Sequence, residues 1–323
     1  MEKAKMLTRF AKFAWLVLAW NIVVILWGVF LRASKSGDGC GQHWLTCHGE
    51  VVPSAPELKT VIEFSHRITS AIAFFTVAAL LIWAFRAFPK GSSVRKTAVV
   101  SFIFIITEAL VGAGLVLTGN TAETLTASRP FWMAGHLINT FILLGFLSLT
   151  AWLASGGRQF NFRIEGKVVA ALLIALTGIL FVGMSGSVAA LSSMLFPSAT
   201  LAEGIAKDFS TTSNILLRLR ISHPIVSVAT SVYLIFLAGW LRARSGNDSD
   251  VSWWSNTLSV LVLTQIAFGA ATLLTLAPII MQLGHLLLAD AIWISFVLTT
   301  ASYMNSIDRP VQQPALAEPV SGV

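Results

Sequence analysis

The 323-residue chain is 55% hydrophobic and only 11% charged, with a formal net charge of +7 and a mean hydropathy of +0.77. Soluble domains carry about 25% charged residues, so this composition excludes a soluble enzyme, a disordered chain and a nucleic-acid binder. A basic balance in so apolar a chain fits the lysine and arginine asymmetry of a polytopic membrane protein. Two cysteines cannot form a disulfide scaffold.

A bilayer core of about 30 Å needs about 20 apolar residues per helix. Eight such stretches are predicted in chain order, at 11–31, 61–86, 97–118, 131–154, 168–190, 222–241, 253–276 and 280–302. The first follows Lys3, Lys5, Arg9 and Lys12. It is too long for a signal-peptide core and has no small-residue cleavage site after it, so it reads as a retained helix. Counting one side's connections collects fourteen of the 22 lysines and arginines. That side is cytoplasmic by the positive-inside rule. Both termini are therefore expected inside, with the long loops 32–60 and 191–221 outside. The Pro- and Ala-rich tail after Arg309 reads as disordered.

The chain also resembles itself. At an offset of 157, Ser65-His66 falls on Ser222-His223, Trp83 on Trp240, Thr107 on Thr264, Gly112 on Gly269 and Glu108 on Gln265. Gly135-His136-Leu137 matches Gly284-His285-Leu286 after a shift of eight residues. Four helices per half is an even number, so both halves enter the membrane in the same sense, related by a pseudo-two-fold along the membrane normal. The expected fold is an all-α membrane protein whose eight transmembrane helices form two pseudo-symmetric four-helix bundles. The halves are 1–157 and 158–308, with a cytoplasmic tail at 309–323.

Four of the six histidines recur in that repeat. His66 and His223 are expected in the first turns of helices 2 and 6, and His136 and His285 in the first third of helices 4 and 8. All four helices run outside to inside, which puts two imidazoles near the outer leaflet of each bundle. Intramembrane ionisable groups are costly and usually functional. A facing imidazole pair in an apolar bundle suits axial ligation of haem iron. The plainer alternative is a histidine hydrogen-bonded to a neighbouring helix. No Cys-x-x-Cys-His occurs, so covalent c-type haem is excluded.

The run Gly39-Cys40-Gly41-Gln42-His43-Trp44-Leu45-Thr46-Cys47-His48-Gly49 holds both cysteines on the outer side. A disulfide, a zinc site from Cys40, His43, Cys47 and His48, and two free thiols are all open. Glu63 lies one turn before His66 on the same face. Thr60-Val61-Ile62-Glu63 also reads as a capping box with Glu63 at N3. Arg67 is placed to meet a haem propionate or to be a solvated helix-end arginine. Glu108 and Asp290 are intramembrane acids expected to be protonated or hydrogen-bonded across helices.

Arg32, the Gly-Cys-Gly-x-x-Trp-x-x-Cys-His-Gly run and Ile62-Glu63-Phe64-Ser65-His66-Arg67 resemble the haem A synthase family, which includes bacterial members and the mitochondrial cytochrome-oxidase assembly form. The likeness is strong over residues 27–67 and extends to the eight helices and the four histidines. It implies an oxidoreductase that converts the position-8 methyl of haem O to the formyl of haem A. It places substrate haem between His66 and His136 with Arg67 beside it, and Glu63 near the reacting methyl. It also implies a Cys40–Cys47 disulfide at the entrance and a haem b cofactor between His223 and His285. Two successive oxidations would give a gem-diol that loses water, with Glu63 as base or as stabiliser of developing positive charge. The implied setting is the cytoplasmic membrane of a bacterium. A haem O synthase would be a partner, a membrane electron acceptor such as a quinone would follow, and a homo-oligomer is open.

This chain departs from the family at three places. Leu45-Thr46 stands for the usual Pro-Leu. The stretch 190–197 lacks the second cysteine pair many members carry. Pro224 follows His223 where arginine is usual, so Arg218 or Arg220 would have to serve instead. A dihaem b-type electron-transfer protein explains the histidines equally well but leaves Glu63 and the cysteine loop without a role. A repeat-built transporter with histidine proton relays is a third class.

Overall fold

The computed structural model describes residues 7–121, 126–157 and 164–307. The tail predicted to be disordered, and the basic residues Lys3, Lys5, Arg158 and Arg163, lie outside the described residues. The helices are α1 (Arg9–Ala33), α2 (Leu58–Ala87), α3 (Ser93–Leu117), α4 (Arg129–Ala154), α5 (Gly166–Leu195), α6 (Leu201–Phe209), α7 (Ile215–Arg220), α8 (Ser222–Arg244), α9 (Ser249–Leu274) and α10 (Ile279–Ser306). With α7 and α8 counted as one stretch, eight among the described residues are long and apolar enough to cross a membrane. They run longer than the apolar stretches alone because polar caps extend them. The Thr8, Ser92 and Asp248 side chains accept from the Ala11, Arg95 and Val251 amides, at 3.1, 3.4 and 3.3 Å.

The break between α7 and α8 has a local cause. Pro224 has no N–H to give the Arg220 carbonyl, and its ring crowds that carbonyl, so the helix is interrupted at Ile221. The short α6 in the loop between α5 and α8 is capped as its sequence demands. Thr200 Oγ1 accepts from the Glu203 amide at 3.2 Å, and Glu203 accepts from the Ala199 amide at 2.8 Å. The hydrogen bond from Lys207 holds the Glu203 carboxyl below its ordinary range, helped by that from Ala199.

In the first half α1 packs on α2, α2 on α3, α3 on α4, and α4 back on α1. In the second, α5 packs on α8, α8 on α9 and α9 on α10. The halves meet through α4 against α10, α4 against α5 and α1 against α10. A two-fold axis parallel to the helices would relate these contacts, because α4–α10 maps onto itself while the other two exchange. Trp293 anchors the seam. Its indole N–H donates to the Phe141 carbonyl at 2.6 Å and its ring stacks on Phe141 at 5.3 Å between centroids.

Candidate functional site

His66 lies in the third turn of α2 and not its first, because α2 begins at Leu58. Across the first bundle stands His136 of α4, within electrostatic reach of His66. The His66 Nδ1 is buried without a hydrogen-bond partner. His136 Nδ1 also makes no hydrogen bond, but a carboxylate, Glu108 Oε1 of α3, stands 3.3 Å away. Glu108 in turn accepts from Asn139 Nδ2 and Thr140 Oγ1, both at 2.5 Å. The expectation that Glu108 bonds across helices holds, and its partners are all on α4.

The capping-box reading of Thr60 and Glu63 is corrected by the structure. The helix starts three residues earlier, after Glu57, and neither side chain caps it. Both reach instead into the cysteine loop. Thr60 Oγ1 donates to the Gly39 carbonyl at 2.6 Å, and Glu63 Oε2 accepts from the Cys40 amide at 2.9 Å. Arg67 closes the arrangement: its Nη2 and Nε donate to Glu63 Oε1 at 2.5 and 3.1 Å, and its Nη1 to the Thr46 carbonyl at 2.7 Å. Glu63 is 3% exposed. One acid and one arginine on adjacent turns thus moor the loop over the bundle that holds His66.

Within the loop, Cys40 and Cys47 are disulfide-bonded, which removes the thiolates a zinc site would need. His48 Nε2 lies 2.9 Å from the Gly39 carbonyl and so is also committed to the loop. Gly39 is needed for close approach: a Cβ there would sit 2.3 Å from the Lys59 carbonyl. Leu45 adopts φ 72°, a left-handed conformation closed to proline. The loop therefore takes a path that the family's usual Pro-Leu could not follow.

In the second bundle the His223 and His285 ring centres are 6.2 Å apart with their planes at 81°. His223 Nδ1 sits 3.2 Å from Ser185 Oγ and 3.4 Å from Ser227 Oγ, which fixes the ring through that nitrogen and leaves Nε2 to act as a ligand. The His285 Nδ1 is buried without a partner. Arg220 is engaged: it pairs with Asp208 at 2.7 Å and donates to the Gly204 carbonyl at 3.2 Å. Arg218 is exposed.

Glycines against the histidines went unnoticed in the sequence. A Cβ on Gly28 of α1 would lie 3.1 Å from His66 Cε1, and one on Gly186 of α5 or Gly269 of α9 would lie 3.0 Å from the Cε1 of His223 or His285. Gly28 and Gly186 escape the 157-residue alignment by a single position, which is why the repeat did not reveal them.

These features fit haem iron. Two metal–imidazole bonds of about 2 Å in line, with each ring centre roughly 1 Å behind its nitrogen, put two ring centres about 6 Å apart. Glycines packed against three of the rings hold them in place. A polytopic helical protein with a histidine pair in each of two related bundles is the class defined by this architecture.

A family model for the cytochrome oxidase assembly protein matches residues 11–297, and the chain belongs to that family. It is 43% identical over 311 residues to a protein named protoheme IX farnesyltransferase from Thermus thermophilus, covering 96% of this chain but 50% of that protein. The chain thus spans about half the length of those Thermus relatives. It is 26% identical to the heme A synthase of Halalkalibacterium halodurans, over 88% of this chain and 92% of the relative. A heme A synthase from Bacillus cereus is also 26% identical, over 84% of this chain and 86% of the relative.

Proposed function

We propose that this chain is a haem A synthase, which oxidises the position-8 methyl of haem O to a formyl group. The observation that carries the reading is the asymmetry of the repeat at the position one turn before the histidine. The first bundle has Glu63 there and the second has Arg220, at the same offset of 157. A carboxylate can take a proton from a reacting methyl or stabilise positive charge that develops on it; a guanidinium can do neither. The reactive half is then the first, with substrate haem between His66 and His136. The second half, with His223 and His285, holds haem b. When bound, haem b supplies a one-electron outlet.

The chain's own residues set the stage for that chemistry. Arg67 orients the Glu63 carboxylate from one side and the Cys40 amide from the other, so the acid is fixed when substrate arrives. The disulfide-closed loop lies over the bundle as a cover that keeps bulk water from the reacting carbon. Because Arg67 is committed to Glu63 and Thr46, propionate binding in this half falls to Arg32 at the outer end of α1, which lies within electrostatic reach of Arg129 of α4.

The name of the Thermus relatives describes a protein of twice the matched length, whereas the heme A synthase of H. halodurans is matched over nearly its whole length. The second name therefore bears more directly on this chain. A farnesyltransferase remains the natural source of haem O, and a membrane quinone the natural electron acceptor. The membrane is the bacterial cytoplasmic membrane with both termini inside, which rests on the lysine and arginine count.

The test is coexpression with a haem O synthase, followed by acid extraction of membrane haem and chromatography with mass detection. The expected result is haem of the formyl mass or its hydroxymethyl precursor, absent from an empty-vector control and from Glu63→Ala. Haem B copurifying beside wholly unconverted haem O would replace this reading with a dihaem electron carrier.

A further inference from the structure

The two bundles share their histidines but not their neighbours. Glu63 of the first half is paired with Arg67, and Arg220 at the matching place in the second is paired with Asp208. Each half thus carries one ion pair at this place. Glu108 and Gln265, which also match, differ in charge. Glu108 takes hydrogen bonds from the neutral Asn139 and Thr140 and turns Oε1 toward His136 Nδ1 at 3.3 Å. Thr107 Oγ1 holds Asn139 from behind at 2.5 Å, and Asn139 Nδ2 also donates to the Phe104 carbonyl at 2.9 Å.

Gln265 presents the opposite polarity. Its Nε2 donates to the His285 carbonyl at 3.0 Å and stands 3.4 Å from His285 Nε2, while its Oε1 is buried with no partner. A carbonyl only accepts, which fixes the amide with its nitrogen toward His285. One half thus offers its histidine an acceptor-only group on the Nδ1 side, whereas the other leaves Nδ1 without a partner and offers a donor on the Nε2 side.

We propose that Glu108 is a positioning residue that makes the two iron sites unequal and so gives electron transfer its direction. The inference rests on the reading that both histidine pairs hold haem iron. The negative charge 3.3 Å from Nδ1 favours the proton on that nitrogen, presents Nε2 to the metal and, once a hydrogen bond aligns with the ligand in place, strengthens it as a donor. A stronger donor favours the oxidised metal, since hydrogen bonding to the axial ligand is one of the protein's levers on haem potential. His285, whose Nδ1 has no acceptor beside it, lacks that help. The balanced step is one electron leaving the first-half iron, which goes from ferrous to ferric, and entering the second-half iron, which goes from ferric to ferrous.

The experiment exchanges the two residues in the full-length protein, purified from cells that also make haem O so that both sites are loaded. Optical redox titration then follows each haem. Gln265→Glu should shift the second-half haem toward ferric by at least tenfold in its equilibrium, about 59 mV for one electron. Glu108→Gln should shift the first-half haem as far in the other direction, with Glu108→Asp restoring most of the wild-type value. Should Glu108→Gln fail to accumulate, Gln265→Glu decides alone. Haem-loaded variants whose equilibria stay within threefold of wild type overturn the inference while leaving haem binding intact. A wild-type protein without haem would overturn the functional reading, and this inference with it.

Discussion

Glu63 is 3% exposed and the side chain of its partner Arg67 is 20% exposed, so the pair is mostly enclosed but still touched by solvent. Deleting one member of a buried pair leaves the other charge uncompensated, at about 3–5 kcal/mol when no water can reach it. Partial exposure argues for less, so Arg67→Ala should destabilise by about 2 kcal/mol. Thermal unfolding in detergent measures it, and an unchanged midpoint would mean that solvent already offsets the pair. Arg67→Lys should recover only part, because an ammonium cannot reproduce a fork that reaches both Glu63 and the Thr46 carbonyl. The glycines permit a second prediction. Gly186→Ala puts a methyl 3.0 Å from His223 Cε1, so the ring must shift and retention of haem by the second half should fall. Gly239→Ala, with nothing within 4 Å, should instead stabilise α8 by up to ~1 kcal/mol. Equal haem content in the two variants would mean that the ring has slack. The four histidines were legible in the sequence because histidine is rare in an apolar chain and these recur. Their glycine neighbours were not, since glycine is common here and the helical crossing that pairs Gly28 with His66 leaves no mark on either local sequence.

The loop joining α1 to α2 shows how far pattern carries at the scale of an element. Hydropathy placed the helices well because the bilayer imposes one length on every span. It misplaced the start of α2 and misjudged Thr60 and Glu63, although the same Thr-x-x-Glu pattern at Thr200–Glu203 does cap α6. The difference is tertiary: a disulfide-closed loop lies against the N-terminal end of α2 and takes both side chains as anchors. No periodicity in residues 34–57 announces that docking. Leu45 gives the element its test. It is 77% exposed and holds φ 72°, so its side chain contributes no packing while its backbone carries a cost of roughly 1–2 kcal/mol. Leu45→Gly should relieve that cost and slow proteolysis of the loop. Leu45→Pro, which matches the family's usual residue, should speed proteolysis unless the whole loop rearranges. Identical cleavage rates for the two would show that the left-handed turn is not a constraint in solution.

The internal repeat made the two-bundle architecture readable, but the seam between the bundles was not, because symmetry predicts which helices meet and not which side chains lock them. At the 149-residue spacing that relates His136 to His285, Trp293 corresponds to Leu144 and Phe141 to Asp290. The seam is therefore symmetric in its helices and asymmetric in its chemistry. On one side Trp293 stacks on Phe141, donates to its carbonyl and lies against Gly145, where a Cβ would come within 3.4 Å of the indole. On the other, Asp290 is 1% exposed with both oxygens lacking a partner. The Trp293 side should therefore carry most of the adhesion between the halves. Between helices in lipid that adhesion comes from close packing and hydrogen bonds, since lipid is as apolar as leucine. Trp293→Phe removes the N–H but keeps a ring on Phe141, so it should cost only about 1 kcal/mol. Trp293→Ala removes both and leaves a cavity that neighbouring helices cannot fill, so it should cost about 3 kcal/mol. Unfolding in mixed micelles with rising fractions of a denaturing detergent ranks the two variants against wild type. Asp290→Leu belongs in the same series and should be neutral or stabilising, because it replaces an unpartnered buried acid with packing. A loss of stability there as large as that of Trp293→Ala would move the adhesion to the acid's side of the axis, and the two-fold seam would have to be held from the opposite direction.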